Sequence, residues 1–245
     1  MQGLLYKEFI QNKQNLFYLF FSILALSSIV FTPDIFPSEE NAEVSKEFHA
    51  LLGAFVYVLD FFLLNSFQPN FFQCDENKKW SYFAVSSPKC VTGVVWTKYV
   101  FVFMITGINF ILCYVIDIFS MSLTGDETSM LLLYAICFFV HIFFSAIDIP
   151  FMLRFGTKAG MLYRGILFLF VLLFIIIYAL FGDLSIFGSV DNFYEKIINF
   201  TGGDTIPEIL WLIIGIFMHG AVLLYYFSYK ISCKCYLKGV ECYDK

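Results

Sequence analysis

Few side chains in this sequence can do chemistry, and those that can fall into two groups. The first group lies inside long apolar runs. Asp60 stands mid-run with Asn65 and Gln68 further along the same stretch, while His141, Ser145 and Asp148 recur at i, i+4 and i+7. That spacing stacks three side chains on one face of a helix. Ionisable groups in apolar segments are costly, so they line a polar pathway or join one helix to another. Both readings stand for Asp60, Asn65, His141, Ser145 and Asp148. Asp148, near the end of its run, also fits headgroup-level water, as does Asp117; His219 beside Gly220 reads as an interhelical hydrogen-bonding residue. Hydrolytic and phosphoryl chemistry lack their parts: there is no His-Glu-x-x-His, no Gly-x-Ser-x-Gly and no Gly-x-x-x-x-Gly-Lys-Ser/Thr. The histidines fall in different runs. Cys233, Cys235 and Cys242 lack a standard zinc spacing and read as reduced thiols, so no metal is expected.

The second group lies between the second and third apolar runs. It reads Cys74-Asp75-Glu76-Asn77-Lys78-Lys79-Trp80-Ser81-Tyr82-Phe83, continues through Ser87-Pro88-Lys89 and reaches Lys98-Tyr99. An aromatic, cation-flanked, helical segment at a membrane surface is a docking surface, with Trp and Phe as anchors and Lys as electrostatic register. The alternative is that Trp80 and Phe83 rest in the headgroup layer, as interfacial aromatics do.

The elements that must hold these residues follow from composition. Of the 245 residues, 60% are hydrophobic and only 14% charged, too little charge to coat a soluble domain of this size. Apolar runs of about 20 residues match a hydrocarbon layer of roughly 30 Å. Six such spans are expected, at approximately 16–36, 49–72, 99–123, 130–153, 162–181 and 207–229, making an all-α polytopic membrane protein with one transmembrane domain over 1–245. With both termini inside, only Lys46 and Lys196 of the fifteen basic residues fall outside, a strong positive-inside bias. The net charge of −5 therefore divides into a basic inner face, suited to anionic lipid, and an acidic outer face. No surface suits nucleic acid. The seven cysteines all fall in spans or on the inner side, so no disulfides are expected. Ala25-Leu26-Ser27 imitates a signal-peptide cleavage site, but the apolar run continues past it and reads as a retained anchor.

Outside the spans, residues 3–14 read as a helix lying in the inner interface, or as a polar tail that sets topology. The first external loop is acidic, with Ser38 placed to cap a short helix. The third carries Val190, Phe193, Tyr194, Ile197 and Ile198 at helical spacing, an amphipathic helix over 190–201 that anchors to the outer leaflet or covers the mouth of a pathway. Asn199-Phe200-Thr201 matches a glycosylation sequon, a weak pattern. Arg154 to Gly160 forms a tight basic connection, and no internal repeat is visible.

The acidic pair Asp75-Glu76, the Ser87-Pro88-Lys89 turn and Lys98-Tyr99 together resemble the permease subunits of ABC-2 type transporters. Leu4-Leu5-Tyr6-Lys7-Glu8-Phe9 and Pro150-Phe151-Met152-Leu153-Arg154-Phe155-Gly156 resemble the same family, although Cys90 and Val91 replace its usual polar or basic residues. The resemblance implies a six-helix permease with an interfacial N-terminal elbow, in the bacterial cytoplasmic membrane. It implies a cytosolic coupling helix between the second and third spans, contacting a separate ATPase through Lys79, Trp80, Phe83, Pro88 and Lys89. It further implies two ATPase subunits holding ATP and Mg, none bound by this chain itself, and a second permease copy or similar partner. The small six-span members it looks most similar to export amphipathic cytolytic peptides such as phenol-soluble modulins; others export antibiotics or peptide antibiotics. The 33 Phe and 15 Tyr could line a peptide path or simply face lipid. A non-transporting immunity or scaffold protein remains a separate reading, as does a proton-linked carrier using Asp60 and His141.

Overall fold

The computed structural model describes residues 2–31, 42–73, 75–76, 82, 86, 90–124, 130–181 and 208–240. Every regular element among them is helical. In chain order they are α1 (Gln2–Gln11), α2 (Lys13–Ser27) with a 3-10 turn (Ser28–Phe31), α3 (Ala42–Phe67), the single turn α4 (Asn70–Gln73), α5 (Cys90–Thr124), α6 (Leu131–Phe155), α7 (Thr157–Phe181) and α8 (Glu208–Val240). The expected capped helix at Ser38, the amphipathic helix at 190–201, the sequon and Cys242 lie outside the described residues.

Four helical segments among the described residues are long and apolar enough to cross a bilayer: Leu52–Gln73, Val91–Ser122, Leu131–Phe155 and Ile214–Tyr236. Such helices satisfy their own backbone and bury apolar faces on one another, leaving other apolar faces outward. In α2, Leu16, Leu19 and Ile23 turn inward while Phe17, Tyr18, Phe21 and Leu24 are exposed. The 25-residue α7 likewise exposes Leu162, Ile166, Leu169, Phe170 and Phe174. At the centre is α6, in contact with α3, α5, α7 and α8.

The helix ends differ from the expected spans in ways that matter for the polar residues. The third helix starts at Cys90, so Lys98 lies two turns inside α5 rather than on a cytosolic loop. Pro69 ends α3, because the residue before a proline is pushed out of the helical region, and the chain resumes as α4. The last helix runs on to Val240 and carries Cys233 and Cys235. Between α6 and α7 the only non-helical residue is Gly156, at φ 85 and ψ 166, a region open essentially to glycine alone. Gly160 lets α7 start close against α6: a Cβ there would fall 2.6 Å from Met152 Cγ.

Proline inside α6 creates one contact that fastens three helices. Pro150 has no N–H, so the carbonyl of Ala146, four residues earlier, loses its helical donor. Ser228 Oγ of α8 donates to that carbonyl instead. The Tyr99 hydroxyl of α5 lies 2.6 Å from Ser228 Oγ and 2.8 Å from Ser232 Oγ, and Tyr225 donates to the Tyr99 carbonyl at 2.8 Å.

Candidate functional site

The strongest concentration of charge lies where α1, the start of the α4–α5 connection and α5 meet. Lys98 is almost fully buried, with 3% of its side chain exposed, and two carboxylates hold it there: Glu8 Oε2 at 2.7 Å and Asp75 Oδ2 at 2.5 Å. Its ammonium also donates to the Phe71 carbonyl at 3.1 Å and lies 5.2 Å from the centre of the Phe72 ring. Lys7 adds a second cation, 2.5 Å from Asp75 Oδ1 and 3.1 Å from Glu8 Oε1, and Gln11 Nε2 donates to Asp75 at 3.4 Å. Val94, Met152, Leu153 and Tyr236 close the space around the cluster. Burial opposes ionisation of Asp75, but Lys98 and Lys7 outweigh it and hold the carboxyl below the usual carboxylate range.

The next residue binds a different helix. Glu76 Oε1 accepts the backbone N–H of Thr157 at the first turn of α7. That N–H is one of the donors a helix leaves without an internal partner, and the carboxylate faces the positive end of the helix dipole. Gly156 leaves room for the cap, since a Cβ there would come to 3.2 Å from Glu76 Oε1 and press on the carboxylate. Adjacent acids therefore tie the start of one connection to α1, α5 and α7.

The polar residues inside the helices are brought together in two sets. Ser145 donates to Gln68 Oε1 at 3.1 Å and lies 3.3 Å from His141 Nε2, joining α6 to the α3–α4 junction. Asp148 pairs with Arg164 of α7, through Nε at 2.6 Å and a terminal nitrogen at 2.5 Å, and the same guanidinium donates to the Asn65 carbonyl. Asp60 stands apart from both sets, fully buried, with Ser27 Oγ at 3.4 Å from Oδ2. His219 departs from the expected interhelical role: it is exposed, and its Nδ1 lies 2.7 Å from the Gly215 carbonyl of its own helix.

Lys79, Trp80, Phe83, Pro88 and Lys89, the expected docking residues, lie outside the described residues. Of their neighbours, Tyr82 is exposed, and the Ser86 N–H donates to its carbonyl at 3.0 Å, the i to i+4 bond of an α-turn. Glu8, Lys7 and Arg164 gain roles that spacing did not reveal, because their partners are 90, 68 and 16 residues away. The one legible signal was an acidic pair opening an otherwise basic connection. Among the described residues no cluster of His, Cys, Asp or Glu has the makings of a metal site. The cluster offers no nucleophile beside a base; it is an ionic fastening.

Residues 3–237 match the family described as ABC-2 family transporter protein. No curated protein and no solved structure matches the chain. With nearly its whole length covered, this chain belongs to the ABC-2 transporter family, as a membrane permease whose partner is an ABC ATPase subunit.

Proposed function

We propose that the chain is the permease half of an ATP-driven exporter, with six spans and both termini in the cytosol. Two permeases pair around a path and two ATPases, holding ATP and Mg, seat against the connection between α4 and α5. The observation that carries this reading is the fastening of Asp75 and Glu76. A segment pushed by a motor must be joined rigidly to the helices it moves, and these adjacent acids hold α1, α5 and α7 at its base. Lys79, Trp80, Phe83, Pro88 and Lys89 follow directly along the chain as the contact surface. The apolar outward faces of α2 and α7 support their assignment as the remaining spans.

For cargo, the proposal is an amphipathic peptide of the phenol-soluble modulin kind. A groove lined by Trp96, Tyr99, Phe103, Tyr225, Tyr226 and Tyr229 supports it, because large rings with polar edges accept an apolar face in many orientations. Asp60, Asn65, His141, Ser145 and Asp148 then work as helix-to-helix contacts that change partners between inward and outward states. The test is co-purification with the ATPase, followed by peptide-stimulated ATP hydrolysis in Trp80→Ala and Phe83→Ala. Loss of stimulation with the chain still folded supports the docking role. Unchanged binding and stimulation in both variants sinks it.

A further inference from the structure

A second groove runs between α6 and α8, at the end of the molecule that carries the ion cluster. Ala146, Pro150 and Phe151 form one wall and Phe227, Ile231 and Cys235 the other, around a volume of about 740 Å³. Phe227 and Ile231 are more than half exposed, at 58% and 54%, so the groove opens outward. Its floor needs no polar ligand, since Ser228 already donates to the Ala146 carbonyl and meets the Tyr99 hydroxyl. The body of any occupant is therefore hydrocarbon.

One charged residue lines this groove, Arg154 near the end of α6. Its guanidinium carbon lies 5.2 Å from the centre of the Phe155 ring, and its polar contact is the Cys235 sulfur at 3.8 Å. No carboxylate pairs with it among the described residues. Lys158, Lys234 and Lys238 are exposed on the flanking turns of α7 and α8. A neutral occupant would cover this cation without compensating it, which is unfavourable. A hydrocarbon body with an anionic head satisfies both halves of the site, and a phosphate suits the planar guanidinium fork.

We propose that the α6–α8 groove binds an acyl chain of an anionic phospholipid, with the headgroup phosphate on Arg154. The proposal requires only that the chain is embedded in a membrane and is independent of cargo and direction of transport.

The experiment uses the full chain in lipid nanodiscs doped with phosphatidylglycerol or phosphatidylcholine, each carrying a diazirine on one acyl chain. After irradiation, labelled peptides are mapped by mass spectrometry. Phosphatidylglycerol is expected to label the stretches holding Ala146 to Phe155 and Leu224 to Cys235 about fivefold more than phosphatidylcholine, the increment of one cation at a membrane surface. Arg154→Gln lowers that preference, leaving the share that Lys158, Lys234 and Lys238 contribute, Arg154→Lys keeps more of it, and Ile231→Trp lowers labelling by both lipids. Thermal unfolding of each variant confirms that the fold persists. Equal labelling of wild type by both lipids, or a preference unchanged in Arg154→Gln, overturns the proposal. So does absent labelling together with a disulfide between two copies carrying Phe227→Cys, which marks the groove as an interface between copies.

Discussion

The Glu76 carboxylate accepts the backbone N–H of Thr157, joining residues 81 positions apart at the point where α7 begins. The bond connects the base of the proposed docking segment to a helix it does not adjoin in sequence. Gly156 lies beside it at φ of 85 and ψ of 166, where a side chain is strained, and an added Cβ would crowd the same carboxylate at 3.2 Å.

Glu76→Ala is expected to lower stability by about 1 kcal/mol through the lost cap and dipole contact. Gly156→Ala is expected to cost about 1–3 kcal/mol through backbone strain. Because the added Cβ also crowds the Glu76 carboxylate, which Glu76→Ala removes, the double variant should fall short of their sum by that crowding while the backbone strain stays. Unfolding midpoints of the three variants decide this, and full additivity would mean that the cap is not what Gly156 protects.

The ion cluster makes a sharper prediction. Removing Lys98 takes from Glu8 and Asp75 the buried cation they share and leaves Lys7, which is more exposed, as the cation that still meets both. Breaking a buried pair on one side costs about 3–5 kcal/mol, whereas replacing all the charges can be nearly neutral. Lys98→Met alone should thus be severely destabilised, and adding Glu8→Gln and Asp75→Asn should recover much of the loss. A triple variant as unstable as Lys98→Met would show that Lys98 acts through packing rather than charge.

Asp75 fixes the acid limit of that cluster. Its carboxyl titrates below the ordinary range because Lys98 and Lys7 outweigh the opposing effect of burial. Its stabilising contribution is complete above the unfolded value of about 3.9 and disappears as pH falls through the lower folded value. The stability difference between wild type and Asp75→Asn should therefore stay constant from about pH 5 to 8 and shrink only below about pH 4. Thermal unfolding across that series measures it; a difference that changes around neutrality contradicts the assignment.

Apolar runs made α3, α5, α6 and α8 legible, since a helix that crosses a bilayer must be apolar for most of its length. Lys98 escaped that reading. A span counted from its first uncharged residue omits a cation that tertiary partners neutralise, so counting places the start at Tyr99, whereas α5 begins at Cys90. Helical spacing put His141 and Ser145 together, but it has no means of supplying Gln68 from another element. Arg164 counted as an inner-face cation by topology; its pairing with Asp148 depends on how closely α7 approaches α6 at Gly160. Position along one helix is local, whereas the partners that bury Lys98, Asp75, Gln68 and Arg164 come from other elements of the chain.

Pro150 and Ser228 give the last prediction. The proline removes the donor that would serve the Ala146 carbonyl, and Ser228 replaces it from α8. In wild type, Ser228→Ala should cost on the order of 1 kcal/mol, the scale of an interhelical hydrogen bond in a membrane. Pro150→Ala restores an N–H to α6, and the Ala146 carbonyl then regains its helical partner. In that background Ser228→Ala should lose most of its effect, leaving only the contact with the Tyr99 hydroxyl, which Ser232 still meets at 2.8 Å. A double-mutant cycle on unfolding midpoints measures the coupling. Equal cost in both backgrounds would assign the serine's contribution to Tyr99 instead of to the carbonyl that proline exposes.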